Sequence, residues 1–176
     1  DFDGDTDIDL AVVNYGGTDI SILLNASTAV FASPVNYAVG TGPFSACAAD
    51  LDNDGDVDIA VAREHKYVSV LENDGAAAFA PPVDYVAELG PYSICAADLD
   101  GDGDVDLATA NYYSNDVSVL MNEGDTTFAA AASFPAGAVP RSICAADFNG
   151  DGAIDLGVAN QESSDVTVLM NTGAGA

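Results

Sequence analysis

Four short segments of this chain concentrate carboxylates in a pattern suited to binding a metal ion. The segment 50–58 has Asp at its first, third, fifth, seventh and ninth positions and Gly at its sixth. Such crowding is repulsive unless a cation neutralises it, and Ca²⁺ prefers oxygen ligands in a flexible loop. We therefore predict a calcium loop that uses the side chains at positions one, three, five and nine and the backbone carbonyl at position seven. The glycine permits the sharp bend that this arrangement needs.

The same pattern occurs at residues 1–9, 98–106 and 147–155, so the sequence predicts up to four Ca²⁺ ions. Thr6 replaces the glycine of the first copy, which predicts a more strained bend. Asn149 and Ala153 replace two acids of the fourth copy, so that site should bind more weakly. Mg²⁺, and acidic turns without a metal, are the alternatives that the residues leave open. The predicted metal-binding residues are Asp1, Asp3, Asp5, Asp7, Asp9, Asp50, Asp52, Asp54, Asp56, Asp58, Asp98, Asp100, Asp102, Asp104, Asp106, Asp147, Asn149, Asp151, Ala153 and Asp155.

These segments are the most regular part of a repeat that extends over the whole chain. They start at residues 1, 50, 98 and 147, so the period is 48 or 49 residues. After each acidic segment come an apolar strand, a polar turn, a strand of alternating polar and apolar residues, a strand beginning at Phe, and a strand of small residues. No segment keeps a helical period of apolar residues. The sequence therefore predicts an all-β protein.

The predicted strands recur at equivalent positions of the units. Four antiparallel strands in a period of about 40–50 residues are typical of a propeller blade. Phe31, Phe79 and Phe128 begin the third strand of their units. The apolar strands are 8–13, 57–62, 105–110 and 154–159, the alternating strands are 20–24, 68–71, 117–120 and 166–169, and the small-residue strands are 45–49, 93–97 and 142–146.

We predict that residues 1–176 form a single repeat region of β-propeller-type blades with four antiparallel strands each. The first unit lacks its leading small-residue strand and the last lacks its Phe-initiated strand, so both are incomplete. Unpaired sheet edges promote association. We therefore expect the region to belong to a larger propeller or array, or to be completed by strands of a neighbouring chain.

The repeated motif is Asp-x-Asp-x-Asp-Gly-x-x-Asp, followed by Leu-Ala-Val-Ala, then Val-Ser-Val-Leu-x-Asn, then Phe, and then Pro-x-Ser before the last strand. It resembles the FG-GAP/VCBS repeat of integrin α-subunit propellers and many secreted bacterial proteins. The resemblance implies blades of a seven- or eight-bladed propeller, with Ca²⁺ in the loop between the first two strands of a blade. It also implies an extracellular location and, commonly, adhesion or the binding of protein or carbohydrate.

The charge of the chain excludes several classes of function. Its 29 acidic and three basic residues give a net charge of −26, which disfavours nucleic-acid phosphates and anionic membrane surfaces. Hydrophobic residues make up 49% of the chain, so it is not a disordered acidic tail. The sequence contains no run of 18 apolar residues, so we predict no membrane insertion. His65 is the only histidine, and no nucleophile–base pair or phosphate-binding glycine loop is present. We therefore predict no enzymatic activity.

Three further features are interpreted from their repeat positions. Cys47, Cys95 and Cys144 occupy one position of the repeat, which favours small buried fillers over disulfides or catalysis. Asn25 begins an N-glycosylation sequon whose occupancy the sequence leaves open. The turns before the alternating strands vary most and contain Tyr, Arg and Lys, as expected of a binding surface on a rigid scaffold, although solvated loops are an alternative. These turns are 15–18, 63–67, 112–115 and 161–164, with Arg141 as the remaining basic residue.

Together these features predict a non-catalytic, calcium-binding, extracellular repeat module that binds a protein or carbohydrate ligand. One alternative is a structural subunit whose incomplete end blades associate with neighbouring chains into an oligomer or fibre. Another is an accessory repeat region of a secreted enzyme.

Overall fold

The computed structural model describes residues 1–26 and 30–173, and this part of the chain contains fourteen β-strands and no helix that could cross a membrane. The strands are β1 (Leu10–Val13), β2 (Asp19–Leu23), β3 (Val35–Ala38), β4 (Pro43–Ala49), β5 (Asp58–Arg63), β6 (Tyr67–Leu71), β7 (Val83–Val86), β8 (Pro91–Ala97), β9 (Asp106–Asn111), β10 (Asp116–Leu120), β11 (Ala132–Pro135), β12 (Pro140–Ala146), β13 (Asp155–Asn160) and β14 (Asp165–Leu169).

The strands form four antiparallel sheets, which confirms the predicted all-β, blade-like architecture. Each sheet contains the strands that follow one acidic loop and, except in the first sheet, also the small-residue strand that precedes that loop. Sheet 2 has the order β4-β5-β6-β7 and sheet 3 the order β8-β9-β10-β11. Sheet 1 contains β1-β2-β3 and sheet 4 contains β12-β13-β14. Within each sheet, strands that follow one another in sequence are hydrogen-bonded neighbours, so each blade is a simple meander. Where the small-residue strand is present, the meander starts with it.

The predicted starts of all four types of strand needed correction. The alternating strands start one residue earlier, at Asp19, Tyr67, Asp116 and Asp165, and the small-residue strands start two residues earlier, at Pro43, Pro91 and Pro140. The apolar strands start later than predicted, at Leu10, Asp58, Asp106 and Asp155, because the acidic loops extend up to them. The third strands start four residues after Phe31, Phe79 and Phe128, which form only isolated bridges. Proline interrupts two of the intervening segments and alanine fills the third, and both residues pair poorly in a ladder.

The core lies between the sheets, which explains how an acidic chain accommodates so many apolar residues. In β5, Ile59 and Val61 contact sheet 1, whereas Ala60 and Ala62 contact sheet 3. All six residues of β5 are buried because both faces of sheet 2 are covered. Sheets 1 and 4 each leave one face uncovered, so apolar residues of β1 and β14 are exposed.

The cysteines are only partly the buried fillers that were predicted. Cys47 and Cys95 pack against the apolar core, and burial raises the pKa of both thiols to about 12, so they are unreactive at neutral pH. Cys144 is exposed, because no further sheet covers the corresponding side of β12. All three are free thiols.

The antiparallel order places the connections between strands at two opposite edges of the sheets. Ala49 pairs with Asp58 at the end of β4 where the acidic loop 50–57 crosses to β5, and the equivalent loops lie at the same edge, which we term the metal rim. Pro43 pairs with Arg63 at the other end, which we term the distal rim. The distal rim comprises the starts of β4, β8 and β12 and the turns 14–18, 64–66, 112–115 and 161–164.

Candidate metal centres

Each acidic loop is curled by its own carboxylates, as the second loop illustrates. The amide of Gly55 donates to Asp50 Oδ2 at 3.1 Å, and that of Asp54 donates to Asp52 Oδ1 at 3.1 Å. The amide of Asp56 donates to Asp54 Oδ1 at 2.8 Å. Asn53 and Gly55 have positive φ angles of 64° and 96°, which glycine and asparagine tolerate best. The alternation of Asp with turn-forming residues therefore dictates the loop.

The curled backbone brings carboxylates together in three of the four loops. The grouped residues are Asp1, Asp3 and Asp5 in the first loop, Asp50, Asp52 and Asp58 in the second, and Asp98, Asp100 and Asp106 in the third. Within each group the ligand oxygens lie within 4.8 Å of one another, a distance that two oxygens on opposite sides of one Ca²⁺ would have. The side chains of Asp54 and Asp102, predicted at position five, lie outside these groups.

The second loop also contains a buried oxygen that lacks a partner among the described residues. Asp50 Oδ1 accepts no hydrogen bond, although burying such an atom without a partner costs about 1–3 kcal/mol. A cation held by the carboxylates would satisfy this oxygen and remove their mutual repulsion. The donor set consists only of hard oxygen ligands, so the residues fit Ca²⁺ and do not fit a soft metal.

The carboxylate at the ninth position has a structural role that the sequence pattern did not reveal. Asp58 Oδ2 accepts from the amide of Leu51 at 2.9 Å, and its Oδ1 accepts from the amide of Asn73 at 2.8 Å. Asp9, Asp106 and Asp155 make the equivalent pairs of bonds. This ninth-position brace ties the start of each acidic loop to the end of the alternating strand.

Burial raises the pKa of braced carboxylates, whereas an exposed carboxylate of the fourth loop has a lowered pKa. Desolvation raises the pKa of Asp58 to about 6, and it also raises the pKa of Asp106. In the fourth loop the amides of Gly152 and Gly150 lower the pKa of the exposed Asp147. Neighbouring carboxylates add to the cost of ionising Asp58, which is the situation that a bound cation reverses.

Asparagines at the ends of the alternating strands connect neighbouring loops, a role that sequence analysis missed. Asn73 Nδ2 donates to the carbonyl of Phe2 in the first loop at 2.9 Å and to that of Val57 in its own loop at 3.2 Å. Asn122 and Asn171 repeat this arrangement with Leu51 and Leu99. The recurrence of Asn after every alternating strand was the signal. The acidic loops are therefore linked from sheet to sheet.

The seventh-position side chains also point away from the carboxylate groups. Asp104 Oδ1 accepts from Asn53 Nδ2 of the preceding loop at 2.6 Å. Asp56 lies against Gly75, and Asp104 lies against Gly124. In the second and third loops the seventh-position carboxylates therefore have contacts outside the carboxylate groups, and the use of the backbone carbonyl at position seven stays a prediction.

The fourth loop keeps the curl but forms no group of three carboxylates among the residues described. Asp147 accepts from the amides of Gly150 and Gly152 at 2.6 and 2.9 Å, as the first-position Asp does in the first and third loops. Asn149 occupies the third position, and its Nδ2 donates to Asp151 Oδ2 at 2.8 Å. Ala153 contributes no side-chain oxygen. The third position thus offers an amide, which bonds to Asp151, in place of the carboxylate that it offers in the other loops.

The predicted strain in the first loop is present. Thr6 has φ of 76° where the other loops have glycine, and its amide donates to Asp1 Oδ2 at 2.9 Å. A β-branched residue in this conformation is uncommon. Nevertheless the loop has the same curl, so the hydrogen bonds to Asp1 outweigh the cost.

The remaining predicted residues lie elsewhere. The variable turns and Arg141 lie on the distal rim, away from the acidic loops. Asn25 Nδ2 donates to the carbonyl of Ile8 at 3.2 Å, and residues 27–29 of the sequon segment fall outside the described part of the chain.

The sequence matches the model of the FG-GAP-like repeat family three times, at residues 1–61, 50–109 and 98–158. No functionally curated protein matches it significantly. The three matched segments overlap at the acidic loops and together cover most of the chain.

Solved structures share the fold at low sequence identity. An Agrocybe aegerita lectin that recognises non-reducing terminal N-acetylglucosamine has a TM-score of 0.60 and 22% identity over 96% of this chain. The Photorhabdus luminescens Tc holotoxin pore has a TM-score of 0.53 and 18% identity over 95% of this chain. This chain spans 50% of the lectin chain and 8% of the toxin chain.

Proposed function

The chain belongs to the FG-GAP-like repeat family, and from this premise we propose that it is a calcium-binding, extracellular and non-catalytic module that binds a protein or carbohydrate ligand. In this proposal the metal rim holds the ions that stiffen the blades, and the distal rim contacts the ligand. Residues that hold Ca²⁺ are those of the acidic loops, with the first three loops binding more tightly than the fourth.

The observation that carries the proposal is the set of converging carboxylates in loops 1 to 3. Ca²⁺ fits this arrangement better than Mg²⁺, because it accepts more protein oxygens at less regular geometry. Bound ions would neutralise the loops and fix their curl, so that the bonds from Asn73 and Asn122 to the preceding loops hold neighbouring sheets in register. Extracellular fluids supply the Ca²⁺ concentrations that weak sites of such modules need.

The ligand-binding part of the proposal is supported by the separation of the two rims. Residues of the distal rim vary between repeats, whereas the metal rim is almost invariant. Variable loops on a rigid scaffold are the usual location of binding residues. The Agrocybe aegerita lectin indicates that a protein of similar fold carries a sugar site.

The proposal is tested by calorimetric titration of Ca²⁺ into metal-free protein, with thermal unfolding measured in Ca²⁺ and in chelator. We expect three tighter sites and one weaker site. A ligand that binds only the folded state at 100 times its Kd stabilises by about 2.7 kcal/mol per site, so chelation should lower the Tm by many degrees. An unchanged Tm in chelator, or no heat of binding, would contradict the proposal. Mg²⁺ titration is the control for selectivity.

A second candidate function, assembly of copies through the end sheets, is favoured by the exposed apolar faces. Val168 in β14 is 45% exposed, and Val12 in β1 is 43% exposed, although equivalent residues of the inner sheets are buried. Sedimentation equilibrium should then show association that Val168→Asp abolishes. Val86→Asp, at a similarly exposed residue of β7, is the matched control. A monomer at all concentrations contradicts this candidate.

A further inference from the structure

The distal rim contains a continuous row of aromatic side chains that crosses from sheet 1 to sheet 3. The ring centroids of Tyr15 and Phe44 are 5.3 Å apart, and Phe44 stacks on Tyr92 at 4.7 Å with 29° between the ring planes. Tyr112 follows at 5.8 Å from Tyr92, and Tyr113 lies edge-on to Tyr112 at 4.7 Å. We term these five residues the aromatic row.

The row results from repeat positions that the blades bring side by side. Phe44, Tyr92 and Arg141 each follow the proline that begins the small-residue strand of their sheet. Tyr15 and Tyr112 occupy one equivalent position in the turns that follow β1 and β9. Sequence analysis identified the variable turns but missed Phe44 and Tyr92, because their shared position with Arg141 becomes informative only when neighbouring sheets are in contact.

Arg141 extends the row into sheet 4. Its guanidinium carbon lies 4.5 Å from the centroid of Tyr92 and 4.9 Å from that of Tyr112, so the cation rests on both rings. Its Nε donates to Gln161 Oε1 at 2.5 Å. This is its one hydrogen bond within the described residues, and the other guanidinium N–H groups remain free to bind a ligand.

The row surrounds a cavity of about 290 Å³ that is open to solvent. Its lining adds Glu64, Gly90 and Arg141 to the aromatic row. Tyr15 and Tyr113 are 74% and 72% exposed, so their faces are accessible. The backbone of Tyr113 is held by its amide, which donates to the carbonyl of Leu89 at 3.1 Å, and its ring lies against Gly90. A Cβ at Gly90 would lie 2.5 Å from that ring. The volume of the groove is near the small end of ligand sites.

Charge restricts which ligand can occupy this groove. The net charge of −26 repels polyanions, and the opposite charges of Arg141 and Glu64 in the groove give a small ion of either sign no advantage there. An apolar peptide would leave Arg141 and Glu64 without partners, which costs free energy on burial. An uncharged sugar avoids these disadvantages, because its C–H groups contact aromatic faces and its hydroxyls pair with charged side chains.

We propose that the groove formed by the aromatic row, Glu64 and Arg141 binds an uncharged carbohydrate. A sugar ring stacks on the faces of the row, and its hydroxyls accept from Arg141 and donate to Glu64. This inference rests on the proposed ligand-binding function and deepens it by naming the ligand class and the contacting residues.

A glycan array tests the proposal, using the 176-residue chain in Ca²⁺-containing buffer. The array should include neutral, sialylated and sulfated glycans. We expect signals from a subset of neutral glycans, which is then followed in solution by tyrosine fluorescence, since four of the seven tyrosines lie in the row and the chain has no Trp. Tyr92→Ala and Arg141→Ala should each weaken binding by about tenfold or more. Tyr92→Phe should retain most of it.

The matched control is Phe148→Ala, which removes an exposed aromatic residue from the metal rim and should leave glycan binding unchanged. No signal from neutral glycans, binding confined to charged glycans, or binding insensitive to Tyr92→Ala and Arg141→Ala would overturn the inference. Ca²⁺ titration on the same samples separates the proposals. Normal calcium binding without glycan binding refutes this inference alone, whereas absent calcium binding refutes the metal sites.

Discussion

The second and fourth acidic loops have the same backbone curl but different chemistry. In both, the ninth-position Asp accepts two backbone hydrogen bonds, from Leu51 and Asn73 to Asp58 and from Phe148 and Asn171 to Asp155. Only the second loop brings three carboxylates together; in the fourth, the Asn149 amide binds a neighbouring carboxylate instead.

The difference separates two roles that one sequence motif combines. The ninth-position brace and the left-handed turns occur in every loop, so they belong to the fold. The acids at the first and third positions converge only where both are Asp, so they carry the proposed metal site. A loop can therefore lose its metal chemistry and still close its blade.

Removing the brace should have the largest effect, and a similar one in both loops. Asp58→Ala leaves two buried amides without acceptors, whereas Asp155→Ala leaves the buried amide of Asn171 and the part-buried amide of Phe148 without them. At about 1–3 kcal/mol per unsatisfied group, each variant should lose about 2–6 kcal/mol of unfolding free energy in metal-free buffer, measured by urea denaturation.

The conservative variants provide the control for this comparison. Asp58→Asn and Asp155→Asn keep one acceptor oxygen and should lose less stability than the alanine variants. If Asp155→Ala were nearly neutral while Asp58→Ala was strongly destabilising in the absence of metal, the brace would not be common to the two loops.

Removing the first-position acid should separate the loops. Asp50→Asn should abolish one calcium site, and at Ca²⁺ 100 times above the Kd this costs about 2.7 kcal/mol of the calcium-dependent stability. Asp147→Asn should change that quantity far less, because its loop forms no carboxylate group. The measurement is unfolding free energy with and without Ca²⁺. Equal calcium-dependent losses in both variants would show that the fourth loop binds as well as the second.

The two loops should also respond oppositely to pH in metal-free buffer. Asp58 has a folded-state pKa of about 6, above the unfolded value of about 3.9, so its folded form binds more protons between these values. Stability should therefore fall as pH rises from about 4 to 6, by about 2 kcal/mol at most. Asp147 has a lowered pKa, so its contribution is present above about pH 4 and is lost as pH falls further.

Denaturation from pH 3 to 7 checks this, with variants that isolate each group. Asp58→Asn should flatten the decline between pH 4 and 6, whereas Asp147→Asn should leave that range unchanged. Ca²⁺ competes with the proton at Asp58, so calcium affinity should increase across the same range. A profile in which Asp58→Asn and the unmodified chain decline in parallel would assign the effect to the general negative charge.

Much of the fold was predictable because the same pattern of residues occurs in four repeat units. The alternation in Val68-Ser69-Val70 and the punctuating Asp, Gly and Pro residues were sufficient for the strands and turns. The residues at which the strands start were not predictable in this way. Whether Phe79 pairs within a strand or as an isolated bridge depends on the two prolines that follow it and on its partner Asn73. Local pattern does not contain that information.

The candidate site was predictable in composition but not in its division of roles. Spacing alone cannot show that both oxygens of Asp58 are used by backbone amides, because those amides come from two separate segments, one before β5 and one after β6. It also cannot show that Phe44 and Tyr92 stack, since they are in contact only through the packing of sheet 2 against sheet 3. Contacts between repeats are the part that a single repeat does not encode.

The smallest predicted effect concerns the turn at the sixth position, which the first loop makes with Thr6. Thr6→Gly should stabilise the protein by about 0.5–1 kcal/mol, since relief of left-handed strain exceeds the added freedom of the unfolded chain. The reciprocal variant Gly55→Thr should cost about 1–2 kcal/mol. A Cβ at Gly55 meets no atom within 4 Å, so that cost would come from the backbone alone. Urea denaturation in metal-free buffer measures both changes. If both variants were destabilising, the Thr6 side chain would have to make a favourable contribution beyond its strained backbone, and the two loops would differ in more than the conformation of one turn.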